Sequence, residues 1–97
     1  RERKRLYMTV MATDFAHMNG LKITGARGEN VRIRKVEFKS GPQWLGTKDL
    51  DISIKSPRQE VRIPFKGPGT VSGLEREVVV YVTIEGGPDT WGMISMY

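Results

Sequence analysis

Apolar residues recur at every second position over most of this chain, and this alternation limits its fold more than any other feature. Leu50, Ile52 and Ile54, for example, are separated by Asp51 and Ser53. Successive side chains of a β-strand point to opposite faces, so this pattern is typical of a strand with one buried and one solvated face. Seven segments are therefore predicted to be strands: residues 6–12, 21–24, 31–38, 50–54, 61–65, 78–84 and 91–97.

Glycine and proline separate these segments at regular intervals, as in Gly67-Pro68-Gly69 and Gly86-Gly87-Pro88. Both residue types favour turns, because glycine adopts positive φ and proline fixes φ while lacking an N–H donor. The pattern leaves room for one helical turn at most, at residues 14–19. We therefore expect an all-β fold, an antiparallel β-sandwich of about seven strands that is immunoglobulin-like or jelly-roll-like; a small β-barrel is the alternative.

Three details refine the strand assignment. Ile33 and Val36 have opposite parity, so a β-bulge near residues 34–35 is needed to place both on one face. The valine-rich segment 78–84 is typical of a central strand that is covered on both faces. Pro64 has no N–H for a ladder hydrogen bond, which predicts an edge strand or a bulge.

The length of 97 residues fits one domain. The net charge is +5, and much of it lies in a basic N-terminal run and in residues 22–66, which hold eleven basic and five acidic side chains. We expect residues 1–5 to form a basic arm and residues 6–97 to form a single β-sandwich domain. The arm would meet an anionic partner through Arg1, Arg3, Lys4 and Arg5, and its removal would leave the melting temperature almost unchanged.

The residue types that most enzymes need are scarce. Cysteine is absent and His17 is the only histidine, which excludes thiolate zinc sites and cysteine nucleophiles. Asp49 and Asp51 share the solvent face of a predicted strand, so we interpret them as solubilising charges. We expect no enzymatic activity, no cofactor, no metal ion and, since no run of eighteen apolar residues occurs, no membrane-spanning helix.

Arginine on predicted strands indicates a surface for phosphates. Arg32 and Arg34 point away from the core in one strand, and Arg62 and Lys66 do so in another. If the two strands are neighbours, they form an arginine-rich sheet face, and the planar guanidinium suits phosphate groups. Proteins that bind single strands also present aromatic rings for base stacking, but we assign most of the aromatic residues, Tyr7 and Tyr81 among them, to the core. A solvated face is the alternative.

Two tryptophans stand next to glycine and proline, Trp44 in a predicted loop and Trp91 directly after one. Trp44 is followed by Leu45 between Gly41 and Gly46, and Trp91 follows the turn at residues 86–89. Tryptophan is enriched at interfaces, which predicts that Trp44, Leu45 and Trp91 contact a partner or ligand. The alternative is that both rings fold back over the ends of the core.

These features favour a non-catalytic module over an enzyme. The leading hypothesis is a structural or assembly subunit, coat-like or filament-like, or a protein-interaction domain of a larger chain; it would associate with itself or with a protein partner. One alternative is a nucleic-acid-binding domain that uses the arginine-rich face. Another is a carbohydrate-binding module centred on Trp44, with Asp49 or Asp51 accepting hydrogen bonds from hydroxyl groups.

Overall fold

The computed structural model describes residues 2–97, so Arg1 lies outside the described residues. The described chain forms two antiparallel sheets, with strand order β1-β6-β3-β4 in sheet A and β5-β2-β7 in sheet B. The predicted all-β sandwich of seven strands is confirmed. Its elements are β1 (Glu2–Met11), α1 (Ala12–His17), β2 (Gly20–Arg27), β3 (Arg32–Ser40), β4 (Gln43–Ser53), β5 (Val61–Pro64), β6 (Glu77–Gly86) and β7 (Trp91–Met96).

The core lies between the inward faces of the two sheets. In β6 every second residue is buried, and Leu21 and Ile23 of β2 and Ile63 of β5 bury their side chains from the opposite sheet. Phe38 and Phe65 pack at one end with ring centroids 4.2 Å apart, and Phe15 of α1 lies 5.4 Å from Phe38. Burial of these side chains is the main stabilising contribution, because apolar area removed from water contributes about 25 cal/mol per Å².

The bulge in β3 is confirmed. The register of β3 shifts between Ile33 and Lys35 against both neighbouring strands, β4 and β6. The extra residue lets Ile33 and Val36 both enter the core despite their opposite parity. The prediction for Pro64 is also confirmed, since β5 is an edge strand of sheet B within the described chain.

Strand β6 is central, as its valines predict, but only one of its faces is fully covered. Val79 and Tyr81 alternate with the buried valines and are half-buried on the outer face of sheet A. The prediction of a strand covered on both sides is therefore wrong. Their partial burial comes from neighbouring side chains on the same face, because in residues 2–97 the other sheet packs only on the inner face.

Helix α1 spans Ala12–His17 and so begins two residues before the predicted turn. It buries Ala12, Phe15 and Ala16 against the core. The segment after β5 runs along it, and the N–H of Gly67 donates to the carbonyl oxygen of Met18 at 2.9 Å. Together with the hydrogen bond from the N–H of Gly69 to the carbonyl oxygen of Ala16 at 2.7 Å, it holds this loop against the helix.

The predicted boundary between an arm and a domain at residues 5 and 6 is wrong. Residues 2–5 belong to β1 and pair with β6, from Glu2 opposite Gly86 to Arg5 opposite Thr83. Arg3 Nε also donates to Glu85 Oε2 at 3.0 Å. Because β6 continues to Gly86, residues 2–5 find backbone hydrogen-bond partners on it. These charged residues therefore continue β1 and do not form a separate arm.

We expect deletion of residues 1–5 to lower the melting temperature by at least about 5 °C. The deletion removes the pairing of residues 2–5 with β6 and the ion pair of Arg3 with Glu85. The matched control is the double variant Arg3→Gln and Lys4→Gln, which removes charge but keeps the strand and should cost less than about 2 °C. Calorimetry measures the melting temperatures of the deletion variant, the double variant and the intact chain. Equal melting temperatures for the deletion variant and the intact chain would contradict the pairing of residues 2–5 with β6.

Candidate functional site

Three aromatic side chains form a row across the outer face of sheet A. Tyr7 of β1 lies opposite Tyr81 of β6, and their ring centroids are 6.3 Å apart. Trp44 reaches the same place from β4, with its ring 5.8 Å from that of Tyr81. Tyr7 is 70% exposed and Trp44 is 47% exposed. We call Tyr7, Tyr81 and Trp44 the aromatic row.

Two cationic side chains lie against the aromatic row. The guanidinium carbon of Arg5 is 4.1 Å from the ring centroid of Tyr81 and 6.0 Å from that of Trp44. Lys39 Nζ is 4.9 Å from the ring centroid of Trp44. Such cation–π contacts contribute about 0.5–1 kcal/mol each at exposed sites. They hold positive charge at the place where the rings are accessible.

More charges occupy the end of the same face that lies away from Trp44. Arg32 and Arg34 of β3 each donate from Nη1 to Asp51 Oδ1 of β4, both at 3.0 Å. Asp51 therefore positions two guanidinium groups, which is a more specific role than the solubilising charge predicted for it. Arg34 Nε also lies 3.9 Å from Glu85 Oε2. Each guanidinium has five N–H donors, so these pairings still leave donors for a further anion.

The structure brings five of the predicted site residues to this one face. They come from three strands, and the set is Arg3, Arg5, Arg32, Arg34 and Trp44. Lys4 points to the opposite side of β1, as its even position requires. Arg1 lies outside the described residues.

The condition for a shared arginine-rich face, that the strands of Arg34 and Arg62 are neighbours, is not met. Strand β3 lies in sheet A, whereas β5 lies in sheet B and pairs with β2. Arg62 donates to Glu60 Oε2 at 2.9 Å and stacks 5.0 Å from the ring centroid of Tyr97. The hydrogen bond from Arg62 lowers the pKa of Glu60, and Glu60 in turn raises the pKa of Arg62. Lys66 donates to Asn19 Oδ1 at 3.1 Å, so both cations make local contacts away from the aromatic row.

The prediction that Trp44 lies in a loop is wrong, whereas Trp91 begins a strand, as predicted. Trp44 is the second residue of β4, and Trp91 is the first residue of β7, where Arg27 stacks 5.3 Å from its ring centroid. Leu45 is only partly exposed and packs against the core. Trp44 and Trp91 belong to different sheets, so they do not form one surface with Leu45.

The sequence interpretation missed Tyr7, Tyr81 and Lys39. Tyr7 is out of phase with Leu6 and Met8, and Tyr81 is out of phase with the buried valines of β6. Strict use of the two-residue period predicts both tyrosines on the outer face. Assigning aromatic residues to the core by type alone concealed that signal.

Three further observations bear on the class of protein. Among residues 2–97, no three His, Cys, Asp or Glu side chains are grouped so that they could hold a metal ion. No helix in the described part of the chain is long and apolar enough to cross a membrane. Comparisons with family models, with curated proteins and with solved structures gave no match.

Proposed function

We propose that this chain is a non-catalytic domain that binds single-stranded nucleic acid on the outer face of sheet A. The observation that carries the proposal is the aromatic row with Arg5 and Lys39 against it. Single-strand-binding proteins combine aromatic rings, on which bases stack, with cations that follow the phosphates. Every base has a π-face, so a surface of this kind tolerates many sequences.

The geometry suits a short strand of nucleotides. Tyr7 offers the most accessible ring, and Trp44 offers the second. Stacking on an aromatic ring contributes about 1–3 kcal/mol per base, so two or three rings support micromolar binding when phosphate contacts are added. Arg5 covers part of Tyr81, which places its guanidinium where the phosphate beside a stacked base would pass.

The net charge of the outer face of sheet A also favours binding of nucleic acid. Its cations outnumber its carboxylates by one, and the whole chain has a net charge of +5. The cations are Arg3, Arg5, Arg32, Arg34, Lys35 and Lys39, and the carboxylates are Glu37, Asp49, Asp51, Glu77 and Glu85. A modest excess of this kind favours a few phosphate contacts, so the affinity should fall as salt displaces the strand.

Tyr7→Ala is expected to weaken binding of a fluorescein-labelled oligouridylate or oligothymidylate of about ten nucleotides by a factor of about 5–100. The change removes the most exposed ring of the row, whereas Tyr7→Phe keeps the ring and should bind as the parent does. Met93→Ala is a control on sheet B, where a comparably exposed side chain is shortened. Fluorescence anisotropy at about 50 and about 300 mM salt measures the affinity and its salt dependence. Equal affinity of Tyr7→Ala and the parent protein, or no binding at low salt, would overturn the proposal.

An assembly subunit remains the second candidate, favoured by one observation. In the described chain the long strands β1 and β4 form the edges of sheet A, and the mostly apolar strand β7 forms one edge of sheet B. Strand β1 runs beside β7. Exposed edges of this kind permit pairing between copies. Light scattering distinguishes the candidates: an oligomer that persists at high salt favours assembly, and a monomer at low and high salt removes self-association.

The carbohydrate hypothesis has weaker support. Trp44 is exposed, as a sugar platform requires, but it stands in a row with Arg5 and Tyr81. Asp51, one of the two proposed hydroxyl acceptors, already accepts hydrogen bonds from Arg32 and Arg34. The phosphates of single-stranded nucleic acid would pair with these cations, whereas a neutral glycan has no charge to pair with them.

A further inference from the structure

A groove separates two edge strands that belong to different sheets. In residues 2–97, β1 pairs with β6 on one side and β7 pairs with β2 on one side, and their other edges face each other. The groove has a volume of about 420 Å³. We call it the edge groove, and it is lined by residues 4–8 of β1 and residues 91–94 of β7.

The backbone of β1 offers hydrogen bonds along this groove. In a strand paired on one side only, alternate residues direct their N–H and C=O groups away from the sheet. Native proteins protect such edges with charged side chains, and residues 2–5 carry four of them. Residues 6–11 carry none. The second half of β1 is therefore suited to receive another strand.

The charge of the edge groove indicates which strand it would accept. Of the described residues that line it, Lys4 and Arg5 are basic and none is acidic. Arg27, stacked on Trp91, adds a third cation beside it. Glu2 and Glu29 line a separate, smaller cavity of about 220 Å³.

The two basic residues lie at one end of the groove, and Met8 and Ile94 lie towards the other. Glu2 pairs with Gly86, and Trp91 follows Gly86 by five residues, so β1 and β7 begin at the same end of the sandwich. Lys4, Arg5 and Trp91 therefore lie towards that end, and Met8 and Ile94 lie further along their strands. A strand with carboxylates at one end and apolar residues at the other matches this arrangement.

We propose that the edge groove binds an extended acidic segment of a partner protein, which adds to β1 as a further strand of sheet A. Backbone hydrogen bonds to residues 6–8 supply affinity that is independent of sequence. Lys4 and Arg5 select carboxylates, and Met8 and Ile94 contact apolar side chains. This surface adjoins the aromatic row, because Tyr7 also lines the groove and Arg5 belongs to both surfaces, whereas Lys4 belongs to the groove alone.

The test uses a fluorescein-labelled peptide of about eight residues with Glu in one half and Val in the other, a length that covers one strand. The same peptide with Lys in place of Glu is the charge control. We expect the acidic peptide to bind and Lys4→Glu to weaken it at least about tenfold. Lys55→Glu, an exposed change of equal charge in the segment after β4, should leave the affinity unchanged. Amide hydrogen exchange should slow at residues 6–8 when the acidic peptide is bound.

Several results would overturn the proposal. They are no binding of the acidic peptide, equal binding of the basic peptide, or protection confined to residues other than those of β1 and β7. Protection of β1 that rises with protein concentration in the absence of peptide would show that a second copy occupies the edge groove instead. Oligonucleotide binding should survive in Lys4→Glu, since Lys4 points away from the aromatic row, so failure of this proposal and failure of the proposed function are distinguishable.

Discussion

Val80→Asp is expected to abolish cooperative folding. Val80 is completely buried in β6, between Met8 of β1 and Phe38 of β3. A carboxylate there would lose its hydration without gaining a partner, since the residues around it are apolar. The expected cost of more than about 4 kcal/mol is a large part of the roughly 5–15 kcal/mol that stabilises a typical domain.

The matched control is Val79→Asp, the same change one residue earlier in the same strand. Val79 faces outward and lies in register with Lys39 and Thr9, so a carboxylate there meets water and a cation. We expect it to cost less than about 1.5 kcal/mol. Urea unfolding followed by circular dichroism measures both variants. If Val80→Asp unfolds cooperatively at the urea concentration of the parent protein, the assignment of this face to the core is wrong.

Gly67→Ala is expected to destabilise the domain by about 2–3 kcal/mol. A Cβ at residue 67 would lie 2.6 Å from the carbonyl carbon of Ala16 and closer still to the carbonyl oxygen of Phe15. These are backbone atoms of α1 and cannot rotate away. To make room, the segment must move from the helix, which weakens the hydrogen bonds from Gly67 to Met18 and from Gly69 to Ala16.

Gly46→Ala is the matched control for this prediction. A Cβ at residue 46 meets only the ring of Phe65 at 3.7 Å, an ordinary van der Waals contact. Since alanine has less backbone freedom than glycine in the unfolded chain, this change should be neutral or stabilising by a few tenths of a kcal/mol. The two variants are compared by their free energies of unfolding in urea. Equal values would show that the loop after β5 does not pack against α1 as described.

The strands that sequence analysis found are those with a buried face. The alternation of β6, the bulge of β3 and the edge position of Pro64 all follow from local rules of side-chain direction and backbone donors. Most of what it missed is exposed, with half-buried Leu45 and Gly46 as exceptions. Residues 43–49 of β4 and residues 2–5 of β1 are held by ladder hydrogen bonds at the edges of sheet A, so burial left little signal in their side chains.

The candidate site also combines features that a single strand predicts with features that it does not. Parity alone places Arg5 and Tyr7 on one face of β1, and it places Tyr81 away from the buried valines of β6. Parity does not say that Tyr7 of β1 and Tyr81 of β6, 74 residues apart, lie side by side, or that Trp44 reaches them across β3. The sequence by itself therefore determined the class of fold and the direction in which most side chains point, because both depend on the geometry of a single strand. Only the tertiary structure decided which strands are neighbours, because strand order depends on how the two sheets bury their apolar faces together, and that order gathered the aromatic row and left Arg62 on the other sheet.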